Sequence, residues 1–404
     1  MRILHTADWH LCDRLGRLDR TDDLKKRVER VAEYCEEHRV EVLLVAGDLF
    51  YERATPDEMA DALRHVQRAF GAFFARGGTV LAITGNHDDD AKIELVRAGM
   101  SLAASVPYGD LPPGRLYLQN GLSCCTLKTP GGERAQFVLV PYPFATRYEL
   151  SDEYRTREEE FRLLQHKLAE WVAGLRADAT RFDTSLPTVL VAHLHVRGAN
   201  LNKSLFRFSN PADIQMEPAD LKAGWAYVAL GHIHLPQMLD GLETLRYPGP
   251  LDRLDFGEKD DERGVLLLDL GPTGLTAPPA WLPMEPTPMR EIVIKDPDAE
   301  LDVLKELYPD RETAIVKVEV TQQLGTKLGR DEIGRRLKAT FPRLLSIDWK
   351  GDVAADVESD SLAKAASGGK AFADTVREYL ATSLEGDADR DGVLQLCETM
   401  LADV

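Results

Sequence analysis

The sequence predicts an α/β protein, in which short buried strands alternate with amphipathic helices. Five apolar, β-rich runs each end in polar residues, and helical patterns of apolar residues lie between several of them. Strands that alternate with helices form a sheet with helices on its outside. At 404 residues the chain is also too long for one ordinary domain, so two or three domains are expected.

The elements of the first domain follow in a regular order. The five runs are "RILHTA" (2–7), "VEVLLVA" (40–46), "GTVLAI" (78–83), "PTVLVA" (187–192) and "WAYVAL" (225–230). Helical spacing of apolar residues covers 24–38, 56–76 and 153–175. A β-rich return over 246–271 follows. The proline-rich stretch 278–288 is interpreted as a linker, so the first domain is expected to span 1–284.

A second, smaller domain is predicted over 289–350. Strand patterns at 290–295, 313–320 and 344–349 alternate with helical patterns at 299–307 and 330–339, which together form a βαβαβ unit. The small, polar, glycine-rich stretch 351–370 is typical of a flexible linker. A helical tail is expected over 371–404, with an apolar stripe at helical spacing formed by Phe372, Val376, Tyr379, Leu380 and Leu384. Because a flexible linker precedes this helix, the apolar stripe is predicted to bind a partner protein.

Charge and cysteine content exclude several classes of protein. A net charge of −18 argues against a protein that coats nucleic acid non-specifically, although a local basic patch or a bound cation can still contact phosphate. The five cysteines are odd in number and lack C-x-x-C spacing, which favours a reducing cytoplasm over a disulfide scaffold or a cysteine zinc site. The sequence has no apolar run long enough to span a membrane and no signal-peptide pattern, so a cytoplasmic protein is expected.

Potential metal ligands follow the ends of the predicted strands in pairs. Asp8 and His10 come after the first strand as D-x-H, and His232 and His234 come after the fifth as G-H-I-H. Residues two apart in an extended chain point to the same side. Each pair can therefore reach one metal ion.

The other three strand ends carry further ligand types. Asp48 and Asn86 each follow a glycine, which lets the backbone turn sharply, and His193 and His195 follow the fourth run. Adjacent residues in extended backbone point to opposite sides. Asn86 can therefore bind a metal while His87 serves a different role.

Together these strand ends predict a site for two metal ions. Imidazole with carboxylate and amide suits manganese, iron or zinc, and does not suit a calcium cage. Paired metals clamp a phosphate ester for in-line attack and activate water as the nucleophile. Each motif alone is common in proteins without metals, but five groups at five strand ends make coincidence a poor explanation. The seven donors, too many for one first-row metal, are Asp8, His10, Asp48, Asn86, His193, His232 and His234.

The order D-x-H, GD, GNHD, H and GHxH resembles the pattern of the calcineurin-like metallophosphoesterases across the whole first domain. The segments "HTADWHLCDRLG", "VAGDLFYERATP", "LGHIHLPQ" and "YPGPLDRLDFGE" are further similar to the SbcD family, the nuclease subunits of bacterial SbcCD complexes. The resemblance spans nearly the whole chain. It implies a four-layer α-β-β-α metallophosphoesterase sandwich, a small α+β capping domain and a C-terminal helical tail.

The resemblance implies a manganese-dependent DNA nuclease of break repair that hydrolyses phosphodiesters with a hydroxide activated by two metals. Exonuclease activity on duplex ends and endonuclease activity on single strands or hairpins are expected. The implied partners are DNA, a second copy of the chain in a homodimer, and an SbcC-type ABC ATPase with a coiled coil, which the apolar stripe of the tail would dock. The protein is then expected in the cytoplasm, at the nucleoid.

Two alternatives stay open. One keeps the fold and changes the substrate, to a phosphomonoester or a cyclic nucleotide, but such enzymes usually lack a capping domain and an apolar docking tail. The other is a degenerate, non-catalytic scaffold, which the complete set of ligand positions argues against.

The resemblance also assigns roles to residues. His193 takes the ligand position over His195, because the ligand of the family directly follows the strand. His87 resembles a non-ligand histidine that assists the transition state or the leaving group. The two implied metal sites share Asp48 as the bridge and consist of Asp8, His10, Asp48 and His234, and of Asp48, Asn86, His193 and His232.

Two positions depart from the family pattern. Cys12 stands where a glycine is usual, and Tyr51 stands where some relatives have a histidine near the site. The role of that histidine is therefore in doubt in this chain.

Three groups of basic residues, two near the motifs and one in the second domain, are candidate contacts for DNA phosphates. A solvated surface is the alternative explanation for each of these charge runs, and the resemblance favours DNA for the third. The three groups are Arg14, Arg17 and Arg20; Arg197, Lys203 and Arg207; and Lys327, Arg330, Arg335, Arg336 and Lys338.

The tail contains a calcium-loop pattern. "DADRDGVLQLCE" (387–398) fits D-x-D-x-D-G-x5-E, with Asp387, Asp389, Asp391 and Glu398 at ligand positions. The sequence shows no second hand to pair with this one. An acidic helix–turn–helix loop is therefore the alternative interpretation.

Overall fold

A computed structural model describes residues 1–101, 110–148, 150, 156–201, 215–218, 221, 224–321 and 326–351. The chain divides into two units, Met1–Met289 and a second unit that begins at Arg290. Within the described ranges no helix is long and apolar enough to cross a membrane. The predicted tail lies outside these ranges, as does all of the predicted linker after residue 351.

The first unit is built from short strands and longer helices. The strands are β1 (Arg2–Thr6), β2 (Arg14–Leu15), β3 (Leu18–Asp19), β4 (Val42–Ala46), β5 (Thr79–Ile83), β6 (Asp110–Leu111), β7 (Leu116–Gln119), β8 (Ser123–Lys128), β9 (Arg134–Val140), β10 (Thr188–His193), β11 (His195–Val196), β12 (Gln215–Met216), β13 (Tyr227–Gly231), β14 (Gln237–Leu239), β15 (Leu242–Tyr247), β16 (Arg263–Gly271), β17 (Gly274–Leu275) and β18 (Ala280–Met284). The helices are α1 (Thr21–Glu37), α2 (Pro56–Ala69), α3 (Gly71–Ala75), α4 (Asp90–Ser101) and α5 (Arg157–Ala177). The five predicted strands are present as β1, β4, β5, β10 and β13.

Two helices begin where the sequence provides a capping box. The Thr55 hydroxyl accepts a hydrogen bond from the Glu58 N–H, and the Glu58 carboxylate accepts one from the Thr55 N–H. Thr156 and Glu159 repeat this arrangement at the start of α5. These reciprocal bonds satisfy backbone donors that have no partner inside the helix. The single helix predicted over 56–76 is divided into α2 and α3.

Two large mixed sheets pack face to face. The first has the strand order β17-β16-β1-β4-β5-β7, with β18 paired to β16, and the second has the order β14-β15-β13-β10-β9-β8-β6. The central strands β1, β4 and β5 are parallel, as are β9, β10 and β13. One buried cluster joins the facing sides of the sheets, with Ile3 and Leu44 from the first and Phe137 and Val191 from the second.

Helices cover the outer faces of both sheets. Val28 of α1 and Phe73 of α3 belong to the buried cluster on the outer face of the first sheet. Leu164 and Leu168 of α5 belong to the cluster on the outer face of the second. This order of helix, sheet, sheet and helix is the predicted four-layer sandwich, which is thus confirmed.

The proline-rich stretch 278–288 is not the linker that the sequence predicts. Residues 280–284 form β18, which pairs antiparallel with β16 and places Pro283 opposite Gly264. A proline is tolerated on an edge strand because its missing N–H does not interrupt the ladder there. Helix α4 and strands β7 to β9 are further elements that the sequence analysis does not predict.

The second unit is described over 290–321 and 326–351 and carries a three-stranded sheet. Its strands are β19 (Met289–Ile294), β20 (Ile315–Thr321) and β21 (Leu344–Lys350), in the order β19-β20-β21, with β20 and β21 parallel. Its helices are α6 (Pro297–Glu300), α7 (Leu304–Leu307) and α8 (Arg330–Thr340). Ile333 and Leu337 of α8 pack in one buried cluster with Val316 and Val318 of β20. The helix predicted over 299–307 is two short helices.

His5 links the two large sheets of the first unit from inside the core. Its Nδ1 lies 3.0 Å from the Tyr227 hydroxyl, and its Nε2 lies 3.1 Å from the Leu230 carbonyl oxygen. Burial lowers the pKa of His5 from 6.5 to about 3, because the charged ring would lose its hydration.

This buried histidine predicts a loss of stability in mild acid. Above pH 6.5 the ring is neutral in both states, whereas between pH 6.5 and about 3 only the unfolded chain binds the proton. The free energy of unfolding should therefore fall by about 1.4 kcal/mol per pH unit, or about 2 kcal/mol between pH 6.5 and 5. Urea unfolding in EDTA at several pH values measures it.

His5→Gln should lack this component of the pH dependence. His166→Gln is the matched control and should keep it, because the His166 side chain is 68% exposed. Equal pH dependence in the wild type and His5→Gln would contradict the prediction.

Candidate metal centre

The predicted ligands of both sheets come together at one edge of the sandwich. Their strands lie in different sheets, since β1, β4 and β5 belong to the first and β10 and β13 to the second. Asn86 is half-buried. The other six side chains are buried, namely Asp8, His10, Asp48, His193, His232 and His234.

Asp48 lies between ligands of the two predicted sets. Its Oδ2 is 3.5 Å from His10 Nε2 and 3.4 Å from His193 Nε2. Metal–ligand bonds of about 2.0–2.2 Å place ligand atoms of one ion about 3 to 4 Å apart. The two separations therefore fit a carboxylate that shares one ion with His10 and another with His193.

Asn86 joins the histidines of the second sheet. Its Oδ1 lies 3.1 Å from His193 Nε2 and 2.9 Å from His232 Nδ1. Two groups of donors also have their ligand atoms within 4.8 Å of one another, and these are Asp8, His10 and His234, and Asp8, Asp48 and His193. Asp8 thus reaches both groups, whereas the resemblance names Asp48 alone as the bridge. Mixed carboxylate, amide and imidazole donors at these distances fit first-row divalent metals.

The backbone at the site adopts the left-handed conformation at four ligands. The φ angles are 52° at Asp8, 44° at His10, 51° at Asp48 and 96° at His232. A non-glycine residue in this region is strained by about 1 to 3 kcal/mol, and such strain is concentrated at functional sites. The surrounding sheets hold these side chains where local backbone preference alone would not.

The same conformation explains a departure from the family pattern. Cys12 has a φ of 72° and a buried side chain. Glycine adopts this conformation without strain, which accounts for the glycine usual at this position. Tyr51, the other departure, is partly buried against the core of the first sheet.

Asp88 ties two ligand loops together and was not singled out from the sequence. Its Oδ1 accepts a hydrogen bond from Phe50 N at 2.9 Å, and its Oδ2 accepts from Leu49 N at 3.1 Å and Gly85 N at 2.8 Å. Arg147 donates to the carbonyl oxygens of Gly85 and Asp88 from the other side. The acid that directly follows "GNH" therefore positions backbone next to Asp48 and Asn86.

Charges in the site are strongly perturbed by burial and by one another. Burial raises the pKa of Asp8 to about 6. Burial disfavours a charged His193, but the Asp48 carboxylate outweighs it and raises the pKa of His193 to about 9. Burial likewise opposes ionisation of Asp48, yet His193 and His87 hold its pKa well below the usual range. Buried carboxylates that need positive charge fit a site for divalent cations.

His87 lies at the rim of the donor groups. Its backbone N–H donates a hydrogen bond to Asp48 Oδ1 at 2.8 Å, and its ring centroid is 5.0 Å from that of His10. Its Nδ1 lies 3.6 Å from Glu52 Oε2, and its side chain is 13% exposed. His195 is also buried nearby, but it belongs to neither donor group found among the described residues.

The predicted phosphate contacts differ in exposure. Arg20 is fully buried, with ion pairs to Asp252 at 3.3 Å and Asp23 at 3.4 Å. Because this guanidinium holds loops together inside the protein, the prediction that it contacts DNA is wrong.

Arg14 and Arg197, which lie near the metal-ligand motifs, are exposed. Arg14 pairs with Glu58 at 2.8 Å, and Arg197 pairs with Glu217 at 3.0 Å. Arg17 is exposed. In the third group, Arg335 and Arg336 pair with acidic neighbours.

Several predicted sites lie outside the described residues. They are the basic residues Lys203 and Arg207, the calcium-loop residues Asp387, Asp389, Asp391 and Glu398, and the docking stripe Phe372, Val376, Tyr379 and Leu380.

Comparisons with known proteins identify the family of the chain. A family model described as calcineurin-like phosphoesterase matches residues 1–236. The SbcD subunit of nuclease SbcCD from Rhodobacter capsulatus is 32% identical over 301 residues, which cover 72% of this chain and 71% of that protein. The SbcD subunit from Bacillus subtilis is 27% identical over 285 residues, 67% of each chain. The DNA double-strand break repair protein Mre11 of Aeropyrum pernix is 29% identical over 310 residues, 73% of this chain and 64% of that protein. The chain therefore belongs to the calcineurin-like phosphoesterase family, among the relatives of the SbcD subunits of SbcCD nucleases.

Proposed function

We propose that this protein is a DNA nuclease of break repair that uses two manganese ions and works with an SbcC-type ATPase. The observation that carries the proposal is the position of Asp48 Oδ2, 3.5 Å from His10 Nε2 and 3.4 Å from His193 Nε2. A carboxylate between two sets of donors is the arrangement that a two-metal phosphoesterase needs. The names of the relatives, the SbcD subunit of nuclease SbcCD and Mre11, support DNA as the substrate.

The proposed ligands divide between the two ions at Asp48. Held by these residues, divalent ions would offset the charge of the scissile phosphate and would lower the pKa of the attacking water. Iron or zinc would suit the same donors. One set is Asp8, His10, Asp48 and His234, and the other is Asp48, Asn86, His193 and His232.

His87 is proposed to act on the leaving group. Its half-buried ring stands beside His10, and its backbone N–H is fixed by the Asp48 carboxylate. This position lets the imidazole stabilise negative charge or give a proton to the leaving 3′-oxygen. The Glu52 carboxylate lies 3.6 Å from His87 Nδ1, which is beyond hydrogen-bond distance.

Binding of DNA must overcome the net charge of −18. The exposed Arg14, Arg17 and Arg197 are proposed to contact phosphates, with Lys203 and Arg207 of the same sequence segment as Arg197. A homodimer, a capping domain over 289–350 and docking of the ATPase by the tail also belong to the proposal. Their support is the family resemblance and the name of the SbcCD relatives.

The test compares three substrates with the purified full chain. Linear duplex DNA, bis-p-nitrophenyl phosphate and p-nitrophenyl phosphate are incubated with manganese, and again with EDTA. We expect cleavage of DNA and of the diester with manganese, little turnover of the monoester, and none of these activities in EDTA.

The other outcomes separate the alternatives. Diester hydrolysis without DNA cleavage would mean that the metal site is competent and that DNA access needs the ATPase. Preferential turnover of the monoester would favour a phosphomonoesterase. Inactivity on all three substrates, in a folded chain with manganese, would favour the non-catalytic scaffold.

A further inference from the structure

A buried carboxylate stands directly behind one proposed metal ligand. Glu258 lies at the end of a short 3-10 helix, Phe256–Glu258, and its side chain is fully buried. Its Oε1 is 2.7 Å from His234 Nδ1. The proposed two-metal chemistry does not use this residue.

The carboxylate is itself held in a fixed orientation. Its Oε2 accepts hydrogen bonds from Leu254 N at 2.8 Å and from Arg263 Nη2 at 2.7 Å. Arg263 is also buried, and its Nη1 donates to the His234 carbonyl oxygen at 3.2 Å. Glu258 therefore contacts the side chain of His234, and Arg263 contacts its backbone.

This geometry decides which nitrogen of His234 can act as a metal ligand. An ionised carboxylate only accepts hydrogen bonds, so the proton of the neutral imidazole sits on Nδ1. Nε2 then keeps its lone pair and is the nitrogen available to the group that contains Asp8 and His10. A carboxylate behind a ligating imidazole also makes the imidazole a more basic ligand.

The other two proposed histidine ligands of the second sheet lack this arrangement at the same nitrogen. His193 Nδ1 faces the carbonyl oxygen of Ala46 at 2.7 Å, which is a weaker acceptor than a carboxylate. His232 turns its Nδ1 towards Asn86, so its ligating nitrogen differs from that of His234. Of these three histidines in the described part of the chain, His234 is thus the one whose Nδ1 faces a carboxylate.

We propose that Glu258 is a positioning residue that fixes His234 for the ion held with Asp8 and His10, and that it strengthens binding of that ion alone. The inference rests on the ligand set of the proposed function. Partners of this kind typically contribute 10- to 100-fold to metal affinity.

The test measures manganese binding to the full chain, by following free manganese with electron paramagnetic resonance. Glu258→Gln should lower the affinity for one of the two manganese ions by about 10- to 100-fold and change the affinity for the other by less than about threefold. Glu258→Asp keeps the charge beside Arg263 but moves the carboxylate away from His234. This variant should therefore lower the affinity for the same manganese ion. It also serves if the Gln variant folds poorly.

Asp252→Asn is the matched control. Asp252 is a fully buried carboxylate of the same loop, which accepts from Thr287 N at 2.7 Å and pairs with Arg20 at 3.3 Å. If the role of Glu258 were merely structural, Glu258→Gln and Asp252→Asn would have similar effects on stability and on metal binding. We expect Asp252→Asn to lower the free energy of unfolding in EDTA while leaving both manganese affinities unchanged.

The outcomes separate this inference from the proposed function. Two ions bound equally well by the wild type, Glu258→Gln and Glu258→Asp would overturn the role of Glu258 and leave the ligand set standing. An equal effect of Asp252→Asn on one ion would overturn it as well. A folded wild type that binds no manganese would overturn the ligand set itself, and the role of Glu258 with it.

Discussion

Replacing Asp48 by Asn should lower metal-dependent phosphodiester hydrolysis by about 1,000-fold or more, which corresponds to about 4 kcal/mol of transition-state stabilisation. The reason is the place of its Oδ2 between His10 and His193. The amide of Asn has the same shape as the carboxylate, and its oxygen can still accept the hydrogen bond from the backbone N–H of His87. It brings no negative charge, so it cannot hold two cations close together.

The measurement is hydrolysis of bis-p-nitrophenyl phosphate and of duplex DNA with manganese, with the bound metal counted on the same samples. Asp269→Asn is the matched control, because that carboxylate is 46% exposed and pairs with Arg2 on the surface. We expect the control to stay within about twofold of the wild type, since exposed ion pairs contribute little. A variant of Asp48 that keeps a tenth of the activity would contradict the bridging role.

Gly231→Ala should destabilise the protein by about 3 kcal/mol or more, the upper end of the range for overpacking a core. A Cβ at Gly231 would lie 1.8 Å from the Ala46 carbonyl oxygen and 2.9 Å from His193 Nδ1. Backbone cannot move aside as a flexible side chain can. The same carbonyl accepts the hydrogen bond of His193, so the substitution should also disturb the metal ligand.

Gly174→Ala is a control that should act in the opposite direction. Gly174 lies within α5, and a Cβ there would meet no atom within 4 Å. Alanine in an exposed helix interior is favoured over glycine by about 0.5 to 1 kcal/mol. Urea unfolding of both variants in EDTA should therefore differ by roughly 4 kcal/mol. Equal stability of the two variants would show that the contact at Ala46 relaxes without cost.

Much of the site could be predicted from the sequence because its ligands occupy strand ends. The D-x-H and G-H-I-H pairs directly follow β1 and β13, and this order along the chain is a local property. The extended backbone predicted for the pairs is wrong, because Asp8, His10 and His232 adopt the left-handed conformation. The apolar runs that precede them identify β1, β4, β5, β10 and β13, because short continuous apolar runs that end in polar residues are typical of buried strands. The distance between Asp48 and His193 could not be predicted, since their strands belong to different sheets.

The errors of prediction also have physical causes. The sequence predicts a phosphate contact at Arg20 because it shows the charge of this residue but does not show Asp252, which neutralises that charge inside the protein. The proline density of 278–288 predicts a linker, because the sequence does not show that this stretch is an edge strand, where proline is tolerated. Asp88 and Glu258 were missed because a buried acid looks the same in sequence as an exposed one.

The sequence by itself determined which residues can bind metal, which fold class contains them and in what order they occur. These properties follow from short-range geometry and from the chemistry of single side chains. Only the tertiary structure decided that two sheets bring the ligands to one edge, that Asp48 lies between the two sets, and that Glu258 stands behind His234. Those are contacts between residues far apart along the chain, and packing of the whole first unit brings them together.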